Sequence, residues 1–187
     1  ANISAIPGAA KSLTHIKTVT ASSDSAVTFV NGTSDVVLDS TYPIYLFKFI
    51  NIHPATNGVF FTVGFRDGST DYDATKTTTY FRAYHDEADS ATALEYTAGS
   101  DLAQGTGFQY LSDDLGNGND ESGSGELFLF NPSSTTFVKH FMSNSNTYHQ
   151  SDYSVDVKVA GYCNVTAAID AVQFKMSSGN IDAGTIK

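Results

Sequence analysis

Carboxylates and side-chain amides crowd two short stretches of this chain, and they are the residues whose types and spacing could do chemistry. Ser112-Asp113-Asp114-Leu115-Gly116-Asn117-Gly118-Asn119-Asp120-Glu121 sets hard oxygen donors on a glycine-softened backbone, the donor type that a calcium ion takes. Its candidate ligands are Asp113, Asp114, Asn117, Asn119 and Asp120, although their register is not that of an EF-hand loop. Asp67, Asp71 and Asp73 form a sparser second set, without the glycine at the sixth position that an EF-hand needs. The plainer reading of both stretches, placed ahead of a bound ion, is solvated turns that keep strand edges from pairing with other chains. Calcium is the one ion these residue types suggest, and no other cofactor is expected.

Other chemistry finds no motif. The histidines, at positions 15, 53, 85, 140 and 149, include no His-x-His pair and no His-Glu-x-x-His, so the spacing that puts two imidazoles on one face is missing. Gly-x-Ser-x-Gly and Gly-x-x-x-x-Gly-Lys are absent too, which removes the nucleophile elbow and the phosphate cradle. A glycan depolymerase would need two carboxylates facing each other across a groove, and spacing alone does not put Asp71, Asp73, Glu87 or Asp113 into such a pair. We therefore expect no enzyme. Tyr72, Tyr80, Tyr84, Tyr96 and Tyr110 read either as an aromatic platform for a glycan or as half-buried rim residues. Cys163, the single cysteine, reads as a small buried apolar residue, because it has no partner for an internal disulfide.

Something must position these side chains, and composition says what kind of element does it. The 13 phenylalanines and 10 tyrosines supply ample core, while only 16% of residues are charged, so Ser, Thr, Asn and Gly carry the polar surface. With 187 residues the chain suits one core. A net charge of −10 repels phosphate backbones and anionic lipid, so no nucleic acid is expected as partner. No stretch approaches about 18 apolar residues, so no membrane span is expected, and the first residues lack the basic start and apolar run of a signal peptide.

Residues 1–11, with Pro7-Gly8, read as an N-terminal arm, and residues 12–187 as one domain. Asn31-Gly32 is a hairpin signal, after which Val36-Val37-Leu38 is expected to resume the sheet. Ile44 to His53 is apolar on both faces and reads as a strand covered on each side, or as one packed on a partner chain. It is expected to form a meander with 59–66 and 77–85. Residues 86–125 read as a long irregular surface excursion with room for a short helix at its start. Tyr153, Val155, Val157 and Val159 alternate with polar residues, as do Val172, Phe174 and Met176. About ten such strands with polar turns give an all-β fold, an antiparallel β-sandwich of jelly-roll type. The run Ile181 to Lys187 ends on a residue that reads as mid-strand.

A resemblance adds to this reading. It is carried by Gly125 to Asn131 (GELFLFN) with Pro132-Ser133-Ser134-Thr135-Thr136-Phe137-Val138-Lys139-His140-Phe141, by Ala160-Gly161-Tyr162, and by Ala168 to Lys187. Ala103-Gln104-Gly105-Thr106-Gly107-Phe108 extends it upstream. This part of the chain resembles a group of virion proteins of tailed phages, many from marine hosts. The resemblance implies a structural protein on the surface of the phage particle, assembled in the bacterial cytoplasm, as a capsid decoration, head fibre or tail protein that stabilises the particle or mediates attachment. It implies other virion proteins as partners and a homotrimer. The arm around Pro7 and the strand residues Ile44, Leu46, Phe47 and Phe49 suit the interfaces of such a subunit. The alternative is a β-sandwich module that binds a host surface glycan or receptor.

Overall fold

The pleat of a strand sends alternate side chains to opposite sides, so Val172, Phe174 and Met176 share one face. All three are buried, and Phe174 is the hub of an aromatic cluster with Phe29, Phe47, Phe49 and Phe61. Its ring centroid lies 5.3 Å from that of Phe47 and 5.1 Å from that of Phe49. Each such pair adds roughly 0.5–1.5 kcal/mol beyond the area it buries. Phe174 belongs to one sheet and Phe47 and Phe49 to the other, so this cluster fastens the sheets together.

The computed structural model describes residues 13–187. Among them the chain forms twelve strands and no helix. They are β1 (Val19–Asp24), β2 (Val27–Val30), β3 (Ile44–Pro54), β4 (Phe61–Arg66), β5 (Lys76–Asp86) and β6 (Thr92–Tyr96), followed by β7 (Gln109–Tyr110), β8 (Gly123–Phe130), β9 (Lys139–His149), β10 (Tyr153–Cys163), β11 (Ala171–Met176) and β12 (Ile181–Ile186). Eight make a sheet in the order β1-β12-β3-β8-β9-β10-β5-β6, and four a second in the order β2-β11-β4-β7. Every strand pairing is antiparallel. The molecule is an all-β, antiparallel β-sandwich with one continuous apolar core between the sheets.

The pairings nest. β1 pairs with β12, β2 with β11, β3 with β8 and β4 with β7. Paired strands thus come from opposite ends of the chain, as in a long hairpin rolled up on itself. Two insertions, β5-β6 and β9-β10, extend the large sheet past β8.

Cys163 is fully buried, as its isolation suggested, and burial pushes its thiol up to about 12. Lys76 and Lys139 face it in register on the two neighbouring strands and are also fully buried. Burial lowers the pKa of both lysines. The Lys139 ammonium donates to the carbonyls of Ser134, Phe137, Val165 and Ala167, which ties two loops to the rim of the large sheet. Buried carbonyls and a buried cation satisfy each other there.

Several expectations change. Phe47 and Phe49 are core residues and offer no surface to a partner, because β3 is covered on one side only. Ile44 and Leu46 do point outward, Ile44 being exposed and Leu46 half-buried. Pro7 and the expected arm lie outside the described residues. The expected meander is broken, since β4 leaves β3 and β5 for the other sheet. Val36 and Leu38 are buried but form no strand, for the Asn31-Gly32 turn closes on Val36 and the Asn31 side chain accepts from the Leu38 amide. Residues 86–125 are irregular over most of their length, as expected, and 87–108 lie largely at the surface, but the stretch also holds the short strands β6 and β7, and Leu111 and Leu115 are fully buried between the sheets. Where a short helix had room, a turn leads into β6.

Candidate functional site: a polar cleft at one end of the large sheet

At the end of the large sheet where β5 finishes and β10 begins, a cleft of about 410 Å³ opens. Strand register assembles its walls: Ser154 lies opposite both His85 and Tyr148, and Gly123 opposite Thr147. Glu87 follows β5 directly, and its amide donates to the Asp152 carbonyl at 3.0 Å. Asp120 and Ser122 come from the loop before β8, which the Tyr148 amide holds by donating to Ser122 O at 3.0 Å.

The side chains in this cleft are fixed by hydrogen bonds. The Tyr148 hydroxyl donates to Glu87 Oε1 at 3.1 Å, and that acceptor pushes the phenol up to about 12, so it remains a donor. Asn146 Nδ2 donates to Ser154 Oγ at 3.0 Å and to Val155 O at 3.3 Å, which leaves its amide oxygen to accept. His85 Nδ1 donates to the Asp86 carbonyl at 2.7 Å. Asp86 caps the following turn: its Oδ1 accepts from the Ser90 and Ala91 amides at 2.8 Å each, and hydrogen bonds led by the Ser90 side chain hold its carboxyl below the usual range. Glu87 and Asp120 enter none of the ion pairs among the described residues.

Behind the cleft stands a column of rings. Tyr153 stacks on Tyr84 at 5.5 Å and on His149 at 5.1 Å, and the Arg82 guanidinium lies 5.4 Å over Tyr84. Arg82 pairs with Glu95 and with the buried carboxylate of Asp113. Burial raises the Asp113 pKa, and the guanidinium works against it. His149 Nδ1 accepts from the Ser151 amide at 3.1 Å, which puts the ring proton on Nε2, 3.7 Å from Asp114.

The five candidate calcium ligands are therefore spread out. Asp113 is held by Arg82, Asp114 faces His149, Asn117 bonds to Asn57 and Ala55, Asn119 is exposed, and Asp120 borders the cleft. Among the described residues no three His, Cys, Asp or Glu side chains gather in a group that could hold a metal ion. The five tyrosines of the expected platform are scattered as well. Tyr80 is a core residue whose hydroxyl donates to Ser112 O, Tyr110 stacks on Phe60, and Tyr96 is exposed beside Asp101. The cleft uses Tyr148 and Tyr153 instead, on either side of a tight hairpin turn. Tyr153 stood in a clean strand alternation that made it look like an ordinary sheet residue, and Tyr148 fell outside the stretches read as strand.

The opposite end of the large sheet is apolar. Ile44 lies across from Phe130, and Leu46 across from Phe128, which in turn faces Met142. Ile44 and Met142 are about half exposed, at 49% and 53%. Leu46 and Phe128 also border a groove of about 590 Å³ between this strip and residues 13–17. Comparison with protein-family models, curated proteins and solved structures found no match to this chain.

Proposed function

We propose that this chain is a structural component of a tailed-phage virion, exposed on the particle as a capsid decoration, head-fibre or tail protein, and that its sandwich is a jelly roll. The nested pairing of β1 with β12, β2 with β11, β3 with β8 and β4 with β7 supports the jelly roll, a fold used by capsid and lectin domains. The observation that carries the particle role is the apolar strip of Ile44, Leu46, Phe128 and Met142 on an otherwise hydroxyl-rich, acidic molecule. Such a strip is expensive to leave in water and fits a subunit that packs on neighbours. In this reading the neighbours are other virion proteins and two further copies of the chain, and the protein performs no catalysis. Immunogold labelling of purified particles with antibody to this chain tests it. Label over head or tail is expected, and absence of label on intact and opened particles would remove the assignment.

The polar cleft favours a second reading in the same setting, a module that binds a host glycan. Fold alone does not choose between these roles, because one sandwich hosts many functions.

A further inference from the structure

We propose that the edge strand β6 pairs with β6 of a second copy of this chain, antiparallel and centred on Leu94, so that two large sheets join into one. The contact is separate from the apolar strip, which spans β3, β8 and β9 and has β10 and β5 between it and β6.

Backbone register leaves this edge open. β6 ends the large sheet and pairs residue for residue with β5, from His85 with Thr92 to Phe81 with Tyr96, without a bulge. The Ala91 carbonyl accepts from the Asp86 amide and the Thr97 amide donates to the Tyr80 carbonyl, so the odd-numbered residues bond to β5. By alternation Thr92, Leu94 and Tyr96 turn their N–H and C=O groups away from it. Proteins blunt such an edge with lysine, proline, a bulge or a very short strand. β6 has no lysine, proline or bulge, and its one charge, Glu95, is paired with Arg82. The other sheet edges differ. Every exposed side chain of β1 is polar and its Ser23 has φ of +61°, while β2 and β7 run for only 4 and 2 residues.

The occupant that fits is a second copy, because the edge is complementary to itself. An antiparallel pair with Leu94 on the two-fold axis sets Thr92 opposite the second copy's Tyr96 and uses every outward N–H and C=O of both strands. On the outer face Leu94 then meets Leu94, and Tyr96 meets Thr92, an aromatic and β-branched pair that sheets favour. On the other face Glu95 falls opposite Ala93, so no like charges face each other within the paired strands. The Tyr96 hydroxyl donates to Asp101, which holds the ring in place before the partner arrives. Area sets the strength. Leu94, Tyr96 and the adjacent Phe81 are 75%, 54% and 37% exposed. At about 150–250 Å² for a large side chain they leave roughly 300 Å² per copy to cover, and with Thr92 and the edge backbone the pair buries on the order of 1,000 Å² in total. That is the low end for a specific contact, so the edge pair forms near about 10⁻⁴ M and is open at micromolar concentration.

The test is disulfide trapping of the full chain with oxidised glutathione, at on the order of 100 µM protein and about 0.5 M salt, which screens the −10 on each copy. Cys163 is fully buried and does not compete, and Thr92, Leu94 and Tyr96 are exposed, so cysteine in their place keeps the fold. In the proposed register Leu94→Cys puts two Cα atoms about 5.5 Å apart, inside the disulfide range, whereas Thr92→Cys holds its pair more than about 12 Å apart. Leu94→Cys is therefore expected to form the linked dimer at least about tenfold faster than Thr92→Cys. An equal mixture of the Thr92→Cys and Tyr96→Cys proteins should trap as the mixed dimer. Adding Leu94→Lys to both members of that mixture should slow trapping about tenfold, because two ammonium groups then meet on the axis. Equal rates for Leu94→Cys and Thr92→Cys would overturn the proposal, as would a mixed dimer indifferent to Leu94→Lys. Particle labelling is independent of this result: a chain that labels the virion yet traps no edge pair keeps the structural reading and loses this one.

Discussion

Asp113 is a carboxylate taken out of water and given one guanidinium. Removing Arg82 leaves that charge buried and unpaired, so Arg82→Met should cost about 3–5 kcal/mol in urea unfolding. Arg82→Met combined with Asp113→Asn should recover a large part of it, because no stranded charge remains. The pH dependence follows from the direction of the shift. Burial raises the Asp113 pKa above its ordinary 3.8. Between 3.8 and the raised value the folded protein holds a proton that the unfolded chain has released, so this residue's contribution to stability falls as pH rises through that window. Asp86 runs oppositely: its hydrogen bonds lower its pKa, and the stability they give is present above 3.8 and fades as pH drops through the lowered value. Unfolding curves at closely spaced pH values from about 3 to 6 should show Asp113→Asn losing the falling component and retaining the Asp86 component. An unchanged profile in Asp113→Asn would contradict the assignment.

Elements explain why some of this was legible beforehand and some was not. Strands with one apolar face, such as β10 with Val155, Val157 and Val159, announced themselves by alternation, and all three valines are buried. β3 misled because Ile44, Leu46 and Ile50 on its outer face are as apolar as Phe47 and Phe49 on its inner one, and alternation cannot separate two apolar faces. The stretch 109–115 was missed because its acidic and hydroxyl residues outweigh Leu111 and Leu115, and only the Arg82 partner on β5 makes burial of Asp113 tolerable. The cleft was illegible for a simpler reason: its residues come from four separate stretches that only strand register brings to one end. A local backbone irregularity was also invisible. Asn51 has φ of +50°, β3 shifts register on both neighbours around it, and Gly184 of β12, at φ +124°, lies so close that a Cβ there would stand 2.7 Å from Asn51 O. Gly184→Ala therefore combines backbone strain with a backbone collision and should destabilise by about 2–4 kcal/mol, read from thermal or urea unfolding. Asn51→Gly, which relieves a positive φ, should stay within about 1 kcal/mol of the parent protein. Equal losses in the two variants would show that packing at this bulge, and not φ, sets the cost.

At the scale of the whole molecule, nesting and charge act together. Pairing Val19 with Ile186 closes nearly the whole described chain in one contact, so the large sheet gains its β12 only after long loops have closed. Until then β1 and β3 expose unpaired edges, and the net charge of −10 keeps copies apart in that interval. The folded molecule faces the converse problem, since association must overcome the same repulsion. The apolar strip at Ile44, Leu46, Phe128 and Met142 is where the structural reading places that association. Those side chains lie on the outer face of the sheet, away from the Phe174 cluster, so a charge placed there should alter assembly while leaving the core untouched. Leu46→Glu with Met142→Glu should thus convert the expected trimer to monomer in light scattering at micromolar concentration, with a melting temperature, measured at concentrations where both proteins are monomeric, within a few degrees of the parent. Added salt should favour the parent trimer, because it screens copies that each carry −10, and should not restore the double variant, in which the contact itself has been removed. A parent chain that stays monomeric at both low and high salt would remove the trimer and this strip's part in it.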